Sequence, residues 1–366
     1  MLKLDCRFFH GDKPCVFNKT EGIVCDDCNY YSPIKIKILV IKLDAMGDVL
    51  RTTSILPPLK KKYPDAHITW CTRKSSKQFF NNNKFVDEVI VVEDDAYFRI
   101  KTEKFDLVIN LDTSKISSSI ASMANAKIKI GFILNEKGFV EPTSEAARAW
   151  LEMSAFDLQK QGNQKSYQKI IYDILGFSDS ICKPQLFVPE ETIKKTSERL
   201  KHSGLNKNLK TIGMNVGVGP KWPSKGWPVK NWEELIHKLN SQNYNLLLLG
   251  GPEETGRIQN LKAKFPFLID TGTENSVVEF AAIVNECDLV ITCDTLTLHI
   301  ATAMDKKIIV LIGPTSAEEL YLYEKGIKLT PSFECKCYYE RKCTESISCM
   351  ESISSESVLK EIEKIL

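Results

Sequence analysis

Ile36–Pro64 reads IKILVIKLDAMGDVLRTTSILPPLKKKYP. Ile36–Leu43 is aliphatic apart from Lys37 and Lys42, the pattern of a short parallel strand buried on both faces. Asp44–Asp48 breaks the run with Gly47. Val49, Leu50, Thr53, Leu56 and Leu59 then recur at spacings of one, three, three and three, so a helical segment follows. Asp48 therefore stands where a strand ends and a helix begins. In open α/β sheets ligands bind at that carboxyl edge. A carboxylate there can take a proton from a substrate, or it can accept a backbone N–H as a helix N-cap. Pro58 has no N–H and constrains Pro57 before it, which predicts a kink or a restarted helix.

The alternation continues along the chain. Ile68–Thr72, Val86–Val92, Asp106–Leu111 and Lys127–Ile133 read as strands. Lys74–Asn82, Ile116–Asn125 and Tyr167–Leu175 read as helices, the last closed by Gly176. Residues 134–165 read as polar and irregular. Pro184 and Pro189 bracket an extended piece, and Glu190–His202 reads as a polar helix ended by Gly204. From Thr211 a second series begins. Its expected strands are Thr211–Val216, Asn245–Gly250, Phe267–Asp270, Asp288–Cys293 and Lys306–Ile312. Its expected helices are Trp232–Asn240, Glu254–Phe265, Val277–Val284 and Thr295–Met304. This pattern predicts an α/β fold of two Rossmann-like halves with parallel sheets. The expected division is a cysteine-rich extension at 1–33, a first domain at 34–189, a second at 190–350 and a terminal segment at 351–366. In that last segment Val358, Leu359, Ile362 and Leu366 form the apolar stripe of a helix that packs back on the domains.

The 366 residues carry 49 basic and 47 acidic side chains, a net charge of +2. A binder that works by neutralising phosphates needs a larger positive excess, so nucleic acid is not an expected partner. No apolar run reaches the length of a membrane span, and MLKLDCRFFHGDK has no apolar signal-peptide core. The expected location is cytoplasmic.

Twelve cysteines in such a chain do not suggest a disulfide framework. Cys71, Cys182, Cys287 and Cys293 read as small core residues. Cys6, Cys15, Cys25 and Cys28 are spaced C-x8-C-x9-C-x2-C. That set can close a four-thiolate site for a structural zinc, or iron, with His10 as a spare ligand. A polar segment this short has little core to hold it otherwise. The alternative is four free thiols on a loose tail. Cys335, Cys337, Cys343 and Cys349 form a second cluster, C-x-C-x5-C-x5-C. It reads as a second metal site or as free or redox-active thiols, Cys335 and Cys337 being too close for a standard knuckle.

Two stretches of the second half have ligand-binding chemistry. Gly217–Pro228 is GVGPKWPSKGWP, a glycine-bearing loop after a strand with Lys221 and Lys225, which suits a diphosphate. Asp294-Thr295 opens a helix after a strand, and His299 lies four residues beyond Thr295 on the same face. The hydroxyl, the free N–H groups of the first turn and the imidazole could share one anion site; the bland reading is an N-cap and a buried histidine. Asp112 also ends a strand, where a helix cap is the expected role.

These motifs resemble those of the heptosyltransferases, which build lipopolysaccharide inner core from ADP-heptose. Met46-Gly47-Asp48 and Leu56-Pro57-Pro58-Leu59 are similar to the family's opening turn and its Leu-Pro-x-Leu segment. Lys225-Gly226-Trp227-Pro228 with Trp232 is similar to its Lys-x-Trp-Pro-x-x-x-Trp run. Asp294–His299 matches the spacing of Asp-Thr-Gly-x-x-His, with Leu296 in place of the glycine. That departure bears on which sugar the donor carries. The resemblance spans Ile36 to about Met350 and implies a GT-B fold, two facing Rossmann-like domains with the first taking the acceptor. It implies an inverting transfer of heptose or a related sugar from an ADP-sugar to a glycan or lipid-linked acceptor, with no catalytic metal. Asp48 would be the general base. Lys225, Glu253, Asp294, Thr295 and His299 would bind the donor, Glu253 near the ribose. Gly313-Pro314-Thr315 matches a further loop, and the second cysteine cluster resembles a tail found in part of the family. A membrane-embedded acceptor would imply peripheral membrane contact. The rival readings are a nucleotide-sugar epimerase of the same fold and a non-enzymatic metal-clip binding module.

Overall fold

The computed structural model describes residues 1–9, 11, 13–94 and 96–366; His10 lies outside them. The chain forms two compact units, Met1–Ala155 with Ile170–Cys182, and Phe156–Lys169 with Lys183–Leu366.

The first unit is built on strands β1 (Ile36–Ile41), β2 (Ala66–Thr72), β3 (Glu88–Val91), β4 (Lys104–Asn110), β5 (Asn125–Leu134) and β6 (Val140–Pro142). They lie in the order β3-β2-β1-β4-β5-β6, parallel except for β6, which pairs antiparallel with β5. β1 is central, and Ile38–Ile41 are fully buried. Leu39 and Ile41 pack with Ala96 and Ile100 of helix Ala96–Thr102 and with Ile120 and Ala121 of helix Lys115–Met123. After β1 the chain runs through helix Met46–Thr52, a 3-10 turn Thr53–Ile55 and a new helix Leu56–Lys62. The restart predicted by the prolines is there, with Pro57 and Pro58 in the first turn, where the helix needs no N–H donors. The Tyr172 hydroxyl donates to Ser54 O at 2.8 Å and accepts from Cys182 N at 3.0 Å, which ties Ile170–Cys182 into this unit.

The extension before β1 carries a short helix Val16–Glu21 and a 3-10 turn Cys25–Asp27. Phe17 stacks on Tyr30 with centroids 3.9 Å apart and meets Phe8 edge-on at 5.0 Å. This aromatic stack, with Phe8 and Phe17 half-buried and Tyr30 exposed, is a contact that the cysteine spacing did not reveal. Arg7 reaches Asp87 at 3.3 Å, and a bridge pairs Cys6 with Pro33.

The second unit contains β7 (Lys210–Asn215), β8 (Tyr244–Leu249), β9 (Ile269–Asp270), β10 (Leu289–Cys293), β11 (Lys307–Leu311) and β12 (Gly326–Leu329). All pair in parallel, in the order β12-β11-β10-β7-β8-β9. Read from β9, this is the strand order of the first sheet. Trp227 and Trp232 are buried against each other, centroids 4.8 Å apart at 82°. Helix Ser355–Ile365 lays Val358 and Ile362 into the same core, with Leu359 and Leu366 partly buried beside them. Among the described residues no helix is long and apolar enough to cross a membrane.

Three sequence expectations need correction. The supposedly irregular 134–165 contains β6 and the helices Glu145–Ala155 and Asp157–Gln161. Only Ala147 of Glu145–Ala155 is buried, so strong helix formers rather than an apolar stripe carry it. Lys74–Phe80 is 3-10 rather than α-helical. Cys71, Cys287 and Cys293 are core residues whose thiols burial pushes up to about 12, but Cys182 is only half-buried.

Candidate functional site

β1 and β4 are neighbours whose onward connections leave in opposite directions, so the sheet changes direction between them. β7 and β10 do the same in the second unit. Ligands favour the carboxyl edge at such points.

At the first of these edges the acids are fastened. Asp48 is the third residue of helix Met46–Thr52, not its N-cap. Its Oδ1 lies 2.8 Å from Arg51 Nη2, and its Oδ2 accepts the Ala45 N–H at 3.4 Å. The side chain is still 34% exposed, so solute can reach it. Asp112 does not cap a helix either; Ser114 does that, accepting from Ser117 N. Asp112 Oδ2 accepts from Leu43 N at 3.2 Å and Asp44 N at 3.3 Å, with the buried Lys42 ammonium at 3.8 Å. It therefore shapes the turn that presents Asp48. Asp44 is held by Arg73 at 2.7 Å, and that hydrogen bond raises the Arg73 pKa.

The second edge gathers a cation, hydroxyls and open backbone. Lys225 Nζ lies 2.6 Å from Asp294 Oδ2, and Thr315 Oγ donates to the same oxygen at 3.3 Å. Thr295 occupies the N-cap position of helix Leu296–Ala303, but its side chain makes no cap hydrogen bond. Its Oγ accepts from Asn215 Nδ2 at 3.3 Å and lies 3.1 Å from Thr292 Oγ. His299 is buried in that helix. Lys225, Asp294 and Thr315 thus meet, as do Thr295 and Asn215. Lys221 is exposed and makes no ion pair among the described residues.

Beside this lies a cavity of about 310 Å³ lined by Gly217, Gly219, Trp227, Glu253, Glu254 and Arg257, among others. Glu253 stands exposed on the turn Pro252–Glu254. The neighbouring Glu254 holds the loop: its oxygens accept from Gly219 N and Gly251 N, each at 2.9 Å. A Cβ at Gly217 would lie 2.0 Å from Glu254 Cγ, so only glycine fits there. Arg257 Nη1 donates to Val216 O at 2.6 Å. Sequence reasoning missed Glu254, Arg257, Arg51 and Asn215. The i,i+3 spacing from Asp48 could have found Arg51.

Among the described residues no three His, Cys, Asp or Glu side chains gather closely enough to hold a metal ion. Of the C-terminal cysteines, Cys337 and Cys349 are buried and Cys335 and Cys343 half-buried. The Thr344 N–H donates to Cys337 Sγ at 3.3 Å and, with the Thr344 hydroxyl, holds that thiol below its ordinary range.

The chain as a whole is similar to known proteins. The profile of glycosyltransferase family 9 (heptosyltransferase) matches residues 98–351. A lipooligosaccharide heptosyltransferase 2 of Haemophilus influenzae is 24% identical over 320 residues, 77% of this chain and 84% of the relative. A crystal structure of a family 9 glycosyltransferase from Veillonella parvula superposes with a TM-score of 0.73 at 24% identity, covering 91% of this chain and 97% of that one. The ADP-heptose LPS heptosyltransferase II of E. coli superposes with a TM-score of 0.68 at 19% identity, covering 90% and 98%.

Proposed function

The chain belongs to glycosyltransferase family 9, the heptosyltransferase family, and on that footing we propose that it moves a heptose or related sugar from an ADP-sugar to a glycan or lipopolysaccharide-type acceptor. The heptosyltransferases similar to it support the donor and acceptor class. The observation that carries the donor side is Lys225, held 2.6 Å from Asp294 where helix Leu296–Ala303 begins. Its ammonium and the unsatisfied N–H groups of the first turn suit a diphosphate. In the proposed reaction Asp48 takes the proton of the acceptor hydroxyl. The freed oxygen attacks the anomeric carbon from the face opposite the diphosphate, so the configuration inverts. The bond from sugar to diphosphate breaks, and Lys225 and Thr295 stabilise the charge on the departing nucleotide. Arg51 orients the Asp48 carboxylate. Glu253 is proposed near the ribose, with Asp294 and His299 as further donor-binding residues.

Single-turnover transfer from ADP-heptose to a deacylated core acceptor tests this reading. Product with the inverted anomeric configuration is expected; nucleotide-sugar turnover without acceptor, yielding an epimer, overturns it.

A structural zinc or iron is a separate proposal. Its candidate ligands are Cys6, Cys15, Cys25 and Cys28 by their spacing, with Cys335, Cys337, Cys343 and Cys349 as a possible second site. About one metal equivalent in the purified chain, lost in a Cys25→Ser/Cys28→Ser variant, is the expected result, and loss in Cys337→Ser/Cys343→Ser instead moves the site to the second cluster. Metal-free wild-type protein would end it. We place the chain in the cytoplasm, with peripheral membrane contact through a lipid-linked acceptor.

A further inference from the structure

The cysteine-bearing segment 333–350 touches both loops of the candidate donor site. Ser224 Oγ donates to Glu340 O at 2.6 Å, and Arg341 Nε donates to Lys221 O at 3.0 Å. Trp222 meets Tyr339 edge-on, with centroids 6.4 Å apart. Three successive residues of one turn, Tyr339, Glu340 and Arg341, thus hold the loop that carries Lys225. The same turn grips the other side. Tyr339 N donates to Pro314 O at 2.7 Å, next to Thr315 on Asp294. Gly313 lies so close that a Cβ there would be 2.4 Å from Met350 Sδ and 2.8 Å from Cys349 Sγ. At its base the turn is closed by the Glu340 N–H, which donates to Cys337 O at 3.0 Å.

Core packing does not require these ties. Arg341 is exposed, and the loop it holds is rich in glycine. A loop of that kind samples many conformers unless something fixes it, and ordering it on binding weakens the ligand's apparent affinity. We propose that Arg341 and Ser224 are positioning residues for the donor: the 339–341 turn holds the Gly217–Pro228 loop so that the Lys225 ammonium is already placed for the diphosphate. This deepens the reading of Lys225 as the diphosphate partner and rests on it. Neither residue touches the reacting atoms. Their effect is confined to donor affinity, and it runs through Lys225.

The test is a double-variant cycle on the full chain, with ADP as the probe in titration calorimetry. Arg341→Ala is expected to weaken ADP binding about 3–10-fold, the loss of one hydrogen bond. Arg341→Lys, which keeps a donor, restores most of it, and Ser224→Ala repeats the loss. The donor KM rises while the acceptor KM and kcat stay near wild type. In the Lys225→Ala background, Arg341→Ala adds little further loss. Wild-type ADP affinity in both Arg341→Ala and Ser224→Ala, alongside weakened Lys225→Ala, overturns the inference and leaves the donor site standing. Losses that multiply in the double variant overturn it too, because the turn then acts without Lys225. Wild-type affinity in Lys225→Ala overturns the donor-site reading, and this inference with it.

Discussion

The two units share a strand order and use it for different chemistry. Each sheet changes direction between its first and fourth strand, β1 and β4 in one and β7 and β10 in the other. After the fourth strand each places an aspartate, Asp112 and Asp294, and each aspartate reaches across to the segment following the first strand. Asp112 takes two backbone N–H groups, those of Leu43 and Asp44. Asp294 takes a side-chain ammonium, that of Lys225. The first arrangement stiffens a short turn and presents another acid, Asp48. The second holds a cation at the mouth of a glycine-bearing loop. What a Rossmann-like edge does is therefore decided by the residues after two strands, not by the sheet.

The comparison breaks most sharply if the first edge proves not to be acid–base machinery. Asp48→Asn keeps the size of the side chain and its acceptor for Ala45 N–H, but cannot take a proton. Transfer should fall about 10²–10⁴-fold in single turnover with ADP affinity near wild type, while weakening of the 2.8 Å Arg51 ion pair lowers the melting temperature without unfolding the unit. Transfer within a few-fold of wild type would remove Asp48 as the base.

The second edge is probed by charge. Lys225→Ala removes the ammonium and should weaken ADP about 10–100-fold in calorimetry, the range for a hydrogen bond to a charged group. Lys221→Ala should change it less than about 2-fold, since that side chain points to solvent and only its carbonyl is used. Equal losses in the two variants would mean that the loop supplies diffuse positive charge rather than one placed ammonium.

Much of this was legible in the sequence because it rests on local chemistry. The apolar run Ile36–Leu43, the glycine and acid after it, and the lysine-bearing loop Gly217–Pro228 report their own positions. The helix Glu190–His202 was readable to the residue, with Pro189 before it and Gly204 just past its end. What was not legible is what depends on partners far away in sequence. Ser224 and Glu340 are 116 residues apart, and nothing local to either announces the other. Glu254 illustrates a finer limit: its neighbour Glu253 has the same chemistry, and only the backbone turn decides which carboxylate faces Gly219. In the N-terminal extension the cysteine spacing is visible at once, but the aromatic stack of Phe8, Phe17 and Tyr30 is not, because its members lie too far apart to form a periodic signal.

The smallest effect sharpens the equivalence of Asp112 with Asp294. If Asp112 fastens the turn and does no chemistry, Asp112→Asn should cost stability and leave turnover nearly intact. The amide oxygen can still accept one N–H, but it meets the second more weakly and leaves the buried Lys42 ammonium facing a neutral group. The expected loss is about 2 kcal/mol, at the low end for a charge-assisted contact, because the ion pair at 3.8 Å is loose. For a unit of this size that lowers Tm by roughly 4–8 °C. Transfer should stay within about 3-fold of wild type, because the turn is bent rather than lost and Arg51 still holds the Asp48 carboxylate. Thermal unfolding and single-turnover transfer on the same preparation separate the two roles. An unchanged Tm with transfer reduced by about 100-fold or more would make Asp112 a participant in the chemistry. The two aspartates would then share a position in the fold without sharing a task.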